Sequence, residues 1–208
     1  MNQRSLSSKV SSLTPEEMKN MDSLNVDFQI RGFCYAYSSE RNSRPSNGEA
    51  HSSNTPKIVD SSFVFEKKEL QLILNEKELV KFNTSVLGNK LYLVNPASDK
   101  ITFKAMDSRL YIYPEALNGN NWEPIGYLQS SWCGNSYHTI ILDTNEYWEF
   151  NVPVFKGNFE TKMRYALIID KQTTIYSNEI NAKMSKQQFN ADRQEGHEPY
   201  NIMDPYNN

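Results

Sequence analysis

The chain of 208 residues carries 22 basic and 25 acidic side chains, a formal net charge of −3, with 38% apolar and 12% aromatic residues. Both signs of charge are spread along it, which argues against a basic nucleic-acid surface and against an acidic solvating arm. No stretch approaches the ~20 apolar residues of a membrane helix, and a mean hydropathy of −0.68 implies a packed portion flanked by polar segments.

Residues 1–13 are polar and Ser-rich, without the apolar core of a secretory signal; they are expected to be disordered. They resemble the linker that follows a removed signal or lipid anchor, so the expected setting is the periplasm or cell envelope of a bacterium, with the cytoplasm as the alternative. Whether Met1 is the native start stays open. Thr14-Pro15-Glu16-Glu17 reads as a helix start, with Thr14 and Glu17 able to cap each other and Pro15 at the first turn. Met18, Met21 and Leu24 then form one stripe. From Asn25 the period changes to two, with Val26, Phe28 and Ile30 alternating with polar residues. After Gly32 the phase slips to Phe33, Tyr35 and Tyr37, as a bulge would produce. Residues 14–37 are thus expected to be a helix and strand packed on the main domain.

Residues 38–57 hold Ser, Asn, Arg, Pro, Gly and Glu with almost nothing to bury, the composition of a disordered loop. Between 58 and 85, Phe63, Phe65, Leu70, Leu72 and Leu74 alternate like strands, while the charge clusters around Glu66–Glu69 and Glu76–Glu78 favour helix. Strands are the reading adopted for residues 66–80. Asn83-Thr84-Ser85 matches a glycosylation acceptor. From Lys90 onward, short alternating runs separated by Asn, Pro and Gly turns predict strands near Leu91–Leu93, Ile101–Ala105, Leu110–Tyr113, Trp122–Gln129 and Tyr137–Asp143.

Tyr147–Ile180 is the clearest segment. Trp148, Phe150 and Val152 alternate with polar positions, Lys156-Gly157-Asn158 turns, and Met163, Tyr165, Leu167 and Ile169 share the next face. Thr173–Ile180 begins a third β-rich run, so an antiparallel meander of three strands is expected here. Met184–Phe189 reads as a last packed turn and 190–208 as a flexible tail. Without strand–helix alternation, the pattern predicts a mostly β fold, an antiparallel sandwich over residues 58–189 with a short N-terminal helix.

Trp122–His138 gathers Trp122, Tyr127, Trp132, Cys133, Tyr137 and His138 beside Asn135 and several serines. Aromatic rings next to amides stack on a sugar or peptide while the amides make polar contacts, so Trp122, Tyr127, Trp132, Asn135 and Tyr137 are the expected ligand-binding set. The bland alternative is a packed loop that plugs the end of the core. A Cys133–His138 pair would be needed for nucleophilic catalysis, but the segment lacks the local signature of a cysteine-protease loop and a clear orienting residue. Cys34 and Cys133 can pair or stay free. His51, His138 and His197 lie at no metal-ligand spacing, and no phosphate loop or dinucleotide fingerprint is present, so no cofactor or metal is expected.

YWEFNVPVFKGNFETKMRYALI, followed by IYSNEI, resembles the closing strands of immunoglobulin-like β-sandwich domains of uncharacterised bacterial cell-envelope proteins. The preceding WEPI and WCGNSY segments look like a loop of the same group. The resemblance spans Lys90 to Ile180, implies a sandwich, and brings no catalytic motif. A more distant similarity is to small sandwich-type proteinase inhibitors. The expected function is a non-enzymatic binding or interaction module for a protein or glycan. A proteinase inhibitor and a hydrolase of unrecognised type are the alternatives.

Overall fold

A computed structural model describes residues 13–42, 52–61, 63, 68–129 and 134–190. The expected disordered start, most of the expected tail, and the centre of the 38–57 loop lie outside the described residues, as do Trp132 and Cys133. The one α-helix of the described residues, α1 (Pro15–Lys19), starts as its sequence requires. Thr14 Oγ1 accepts from the Glu17 amide at 3.2 Å and the Glu17 carboxylate accepts from the Thr14 amide at 3.0 Å. The rest is β: β1 (Ile30–Arg31), β2 (Lys57–Ile58), β3 (Gln71–Lys81), β4 (Leu87–Asn95), β5 (Ile101–Met106), β6 (Arg109–Leu110) and β7 (Ile112–Asn118) come first. They are followed by β8 (Asn121–Pro124), β9 (Gly126–Tyr127), β10 (Tyr137–Leu142), β11 (Glu146–Pro153), β12 (Phe159–Ile168), β13 (Thr174–Tyr176) and β14 (Ile180–Met184).

The strands make an antiparallel β-sandwich. One layer has the order β2-β11-β4-β3. In the other, β12 pairs with β7 on one side and with β13 and β14 on the other, and β7 also pairs with β8. β6 and β7 are one strand interrupted at Tyr111, and through β6 the layer continues to β5 and β10. The inward faces follow the period of two: Leu72, Leu74, Leu91, Leu93, Trp148, Phe150 and Val152 from the first layer meet Ile112, Ala116, Met163, Tyr165 and Leu167 from the second, with Phe103 and Ile140 beside them. Trp148, Phe150, Tyr165 and Leu167 are all buried, as their phase requires.

Two expectations are corrected. The three closing runs do not form a meander, because β11 pairs with β2 and β4 whereas β12 belongs to the opposite layer. The turn at Lys156-Gly157-Asn158 is therefore a crossover between layers. A Cβ on Gly157 would stand 2.1 Å from the Met184 carbonyl carbon, so only glycine lets the crossover lie against the end of β14. The third run is also split, into β13 and β14, at Ser177-Asn178-Glu179.

The second correction concerns residues 21–37, which form no continuous strand. They run as a strap touching both layers through short pairings: Asp22 with Val86, Leu24 with Phe155, β1 in parallel with β9, and Tyr35 with Arg109. Its small residues go inward. Cys34 and Ala36 are fully buried, while Tyr35 and Phe28 are exposed and Phe33 and Tyr37 half-buried. The seam between the layers is too narrow for the rings that the alternation singled out, so the phase is the opposite of the expected one. Strap and sandwich are fastened where the Trp148 indole donates to the Tyr37 carbonyl at 2.9 Å.

The flanks of the 38–57 segment make defined contacts. Ser38 Oγ accepts from the Ile141 amide, and Arg41 reaches both Asp143 and Glu146. Asn54 bridges the carbonyls of Tyr35 and Glu149. β3 confirms strand for the described part of residues 66–80, and Met184–Phe189 ends the described chain with a 3-10 turn, Lys186–Phe189, as a packed turn should.

Candidate functional site

The described residues of the Trp122–His138 segment do not converge. Trp122 sits on β8, on the outer face of its layer, opposite Leu117. The Arg164 guanidinium lies 4.2 Å from its ring centre and 3.8 Å from that of Tyr176, and donates to Glu115 Oε2 at 2.9 Å. One face of the indole is therefore covered by a cation of the protein itself, and the Trp122–Arg164–Tyr176 contact ties β8, β12 and β13 together. Tyr127 lies on β9 against the strap, paired with Arg31. Tyr137 starts β10 and packs with Met106, Tyr111, Tyr113 and Leu128 in a small apolar cluster. Asn135 is exposed in the turn Gly134–Ser136. Three of the expected residues thus have structural partners, and Trp132 lies outside the described residues.

The other titratable candidates are also engaged. His138 Nδ1 is 3.3 Å from the Ser136 carbonyl. Burial pushes the Cys34 thiol far above its ordinary value, which leaves it without thiolate character. Glu78 is buried on the outer face of the first layer, where it accepts from the Tyr92 hydroxyl at 2.6 Å and from Asn75 at 3.1 Å. Burial and then that carboxylate push the Tyr92 hydroxyl upward, out of the range of proton transfer near neutrality. Burial would raise the Glu149 carboxyl, but hydrogen bonds from Lys57 and Lys90 outweigh it and the net shift is downward. Asn83 is used by its own turn, its Oδ1 accepting from the amides of Ser85 and Val86.

A feature of the described residues with no structural occupant is a cleft of about 960 Å³ lined by residues of both layers. Its origin is local. At Leu74 the layers are pinned, because the Asn178 side chain accepts from the Leu74 amide at 2.8 Å and donates to its carbonyl at 3.0 Å. Beyond that point β3 is interrupted by a bulge between Asn75 and Leu79. Glu78 turns to the outer face, and β3 resumes its pairing with β4 at Leu79 in a shifted register. β14 leaves in the other direction along β12, and the seam opens between them. Leu79, Phe155, Phe159, Met163, Ile180 and Ala182 are its apolar lining residues, and Ser23, Glu76, Asn89, Thr161, Asn181 and the charged groups of Lys156, Glu160, Lys162 and Lys183 its polar ones.

The rim cations are satisfied by their own neighbours. Lys156 pairs with Asp22 at 3.0 Å, Lys162 with Glu179 at 2.9 Å and Lys183 with Glu160 at 2.6 Å. Glu76 is exposed and makes no ion pair among the described residues. The lining of the cleft is mixed, with polar and charged groups interleaved among the apolar ones, and the volume lies at the upper end of the range for small ligands. Sequence reasoning missed it because its lining comes from six separated segments. The available local signals were the charged EKE run that interrupts the β3 alternation, and the Ser177-Asn178-Glu179 break between β13 and β14.

No protein-family model, no curated protein and no solved structure matches this chain. What fold and site define is a class: an antiparallel β-sandwich closed by an N-terminal strap and opened between its layers at one end.

Proposed function

We propose that the protein is a non-enzymatic binding module whose ligand occupies the cleft between β3 and β14. The observation that carries this reading is an opening of about 960 Å³, lined by residues of both layers with apolar and polar groups interleaved, beside the Asn178–Leu74 hydrogen bonds that join the two layers. Apolar side chains at such a mouth gain free energy when a ligand takes their surface out of water. The polar groups at its edge fix the orientation of what enters. The setting that goes with this reading is the bacterial cell envelope; fractionation of the source cells that places the protein in the cytoplasm would contradict it.

Titration with the apolar fluorophore bis-ANS tests the site. Ala182 points into the cleft from β14 and is half-buried, so Ala182→Trp fills the opening. The wild type is expected to enhance the dye's fluorescence with micromolar affinity, and Ala182→Trp to reduce that affinity at least tenfold at unchanged Tm. Equal dye binding by the two would remove the cleft as the site.

A further inference from the structure

Resting on that reading, the ligand class follows from the backbone of the cleft wall. β14 pairs with β12 from Ile180 to Met184 and has no strand on its other side among the described residues. No backbone group of Ile180–Lys183 bonds outside that pair among the described residues. Half of the amides and carbonyls of the strand therefore lie on its unpaired side, at the border of the cleft that Ile180–Lys183 line. We propose that the cleft takes an extended, basic segment of a partner protein as an added strand on β14, with apolar side chains at alternate positions and a lysine or arginine at Glu76.

Edges of sheets are normally guarded, by an outward lysine, a bulge or a cover. The β13–β14 edge shows where the guard stands and where it is missing. Asn178 lies between the two strands, and its carboxamide occupies both backbone groups of Leu74, which ends any continuation of the ladder there. On β14 the one lysine, Lys183, is drawn back over β12 to Glu160 and leaves the edge bare. Across the cleft from it, β3 carries a bulge between Asn75 and Leu79, and Glu76 and Leu79 line the cleft. A five-residue edge is about 17 Å long at the rise of an antiparallel strand, long enough for one short peptide segment.

The side chains then set the pattern. In the β12–β14 pair, Ile180 lies opposite Met163 and Ala182 opposite Thr161, and these four residues line the cleft, while Met184, opposite Phe159, is buried in the core. An added strand places every second side chain in the same hollow and the others in water, so its sequence alternates. The charge pattern sets the sign. The three rim lysines are neutralised within the chain, and the exposed carboxylate left over is Glu76, on a protein of net charge −3. A cationic residue on the incoming segment complements it, and an acidic one is repelled.

The test is selection of random twelve-residue peptides on the full chain, with counter-selection on Ala182→Trp. The expected winners alternate apolar and polar residues and carry Lys or Arg toward one end. The best synthetic peptide should bind with micromolar Kd. It should lose at least tenfold when alternate amides are N-methylated, and three- to tenfold with Glu76→Gln, a change at an exposed position that spares the fold. Equal affinity for the N-methylated peptide would overturn strand addition. Winners without a basic residue, or no effect of Glu76→Gln, would overturn the charge assignment. If no peptide survives counter-selection while bis-ANS still distinguishes wild type from Ala182→Trp, this inference fails and the cleft stands as a site for another ligand. Failure of the dye to distinguish them removes the cleft altogether.

Discussion

Trp148 illustrates how much one residue does in this fold. It is fully buried on β11, meets Phe103 edge-on at 5.7 Å between ring centres, and holds the strap through its indole N–H. Trp148→Ala is expected to cost about 3–5 kcal/mol. Trp148→Phe keeps most of the apolar area but removes the hydrogen bond to the Tyr37 carbonyl, and should cost about 1–3 kcal/mol. Denaturant melts of both check the strand phase and the strap contact separately. Gly119 gives a pure backbone case: its φ is +64° and nothing lies within 4 Å of a Cβ placed there. Gly119→Ala should therefore cost about 1 kcal/mol, from the left-handed conformation alone, and Gly119→Asn should cost less. Glu17 supplies a pH signature. The hydrogen bond from Lys81, then those of Thr14, hold its carboxyl down to about 2, against an ordinary 4.5. A depressed folded value means that its stabilising contribution is complete above pH 4.5 and is lost as the pH falls through 2. Glu17→Gln should flatten the pH dependence of stability across that window, read by thermal melts between pH 5 and 2.

At the scale of elements, the alternation in Tyr147–Ile169 was readable because both faces of those strands follow the period of two, and the burial of Trp148, Phe150, Tyr165 and Leu167 came with it. Pairing was not readable. The Lys156-Gly157-Asn158 turn has the composition of a hairpin, yet it carries the chain between layers, and periodicity says nothing about which layer the next strand joins. The strap phase was misjudged for a related reason. Phe33, Tyr35 and Tyr37 carry the larger apolar surface, but the narrow seam admits Cys34 and Ala36. The ligand set named from Trp122–His138 rested on composition, and composition cannot show that Arg164, from 42 residues beyond Trp122, covers that ring. Two variants test the elements. Gly157→Ala forces the crossover off Met184 and should cost about 3 kcal/mol. Asn178→Ala strands the Leu74 amide and carbonyl, should cost about 1–3 kcal/mol, and lengthens the bare edge beside the cleft. Sedimentation velocity should then show more self-association than the wild type at equal concentration.

For the whole molecule, the two layers, the strap and the opening form one argument. A sandwich needs its seam filled along its length; the strap fills part, Asn178 pins part, and between the β3 bulge and β14 the seam is left open over a lining of interleaved apolar and polar groups. The competing location for a ligand is the aromatic segment from Trp122 to Tyr137, where the described rings are already engaged by Arg164, the strap and the Tyr111–Tyr113 cluster. Amide chemical-shift mapping on the isotope-labelled full chain, during titration with bis-ANS, separates the two most directly. Perturbations are predicted to concentrate on Glu76–Leu79, Phe159–Met163 and Ile180–Lys183. Perturbations centred instead on Trp122, Tyr127 and Tyr137, with the β14 signals unmoved, would contradict the assignment of the cleft as the binding site.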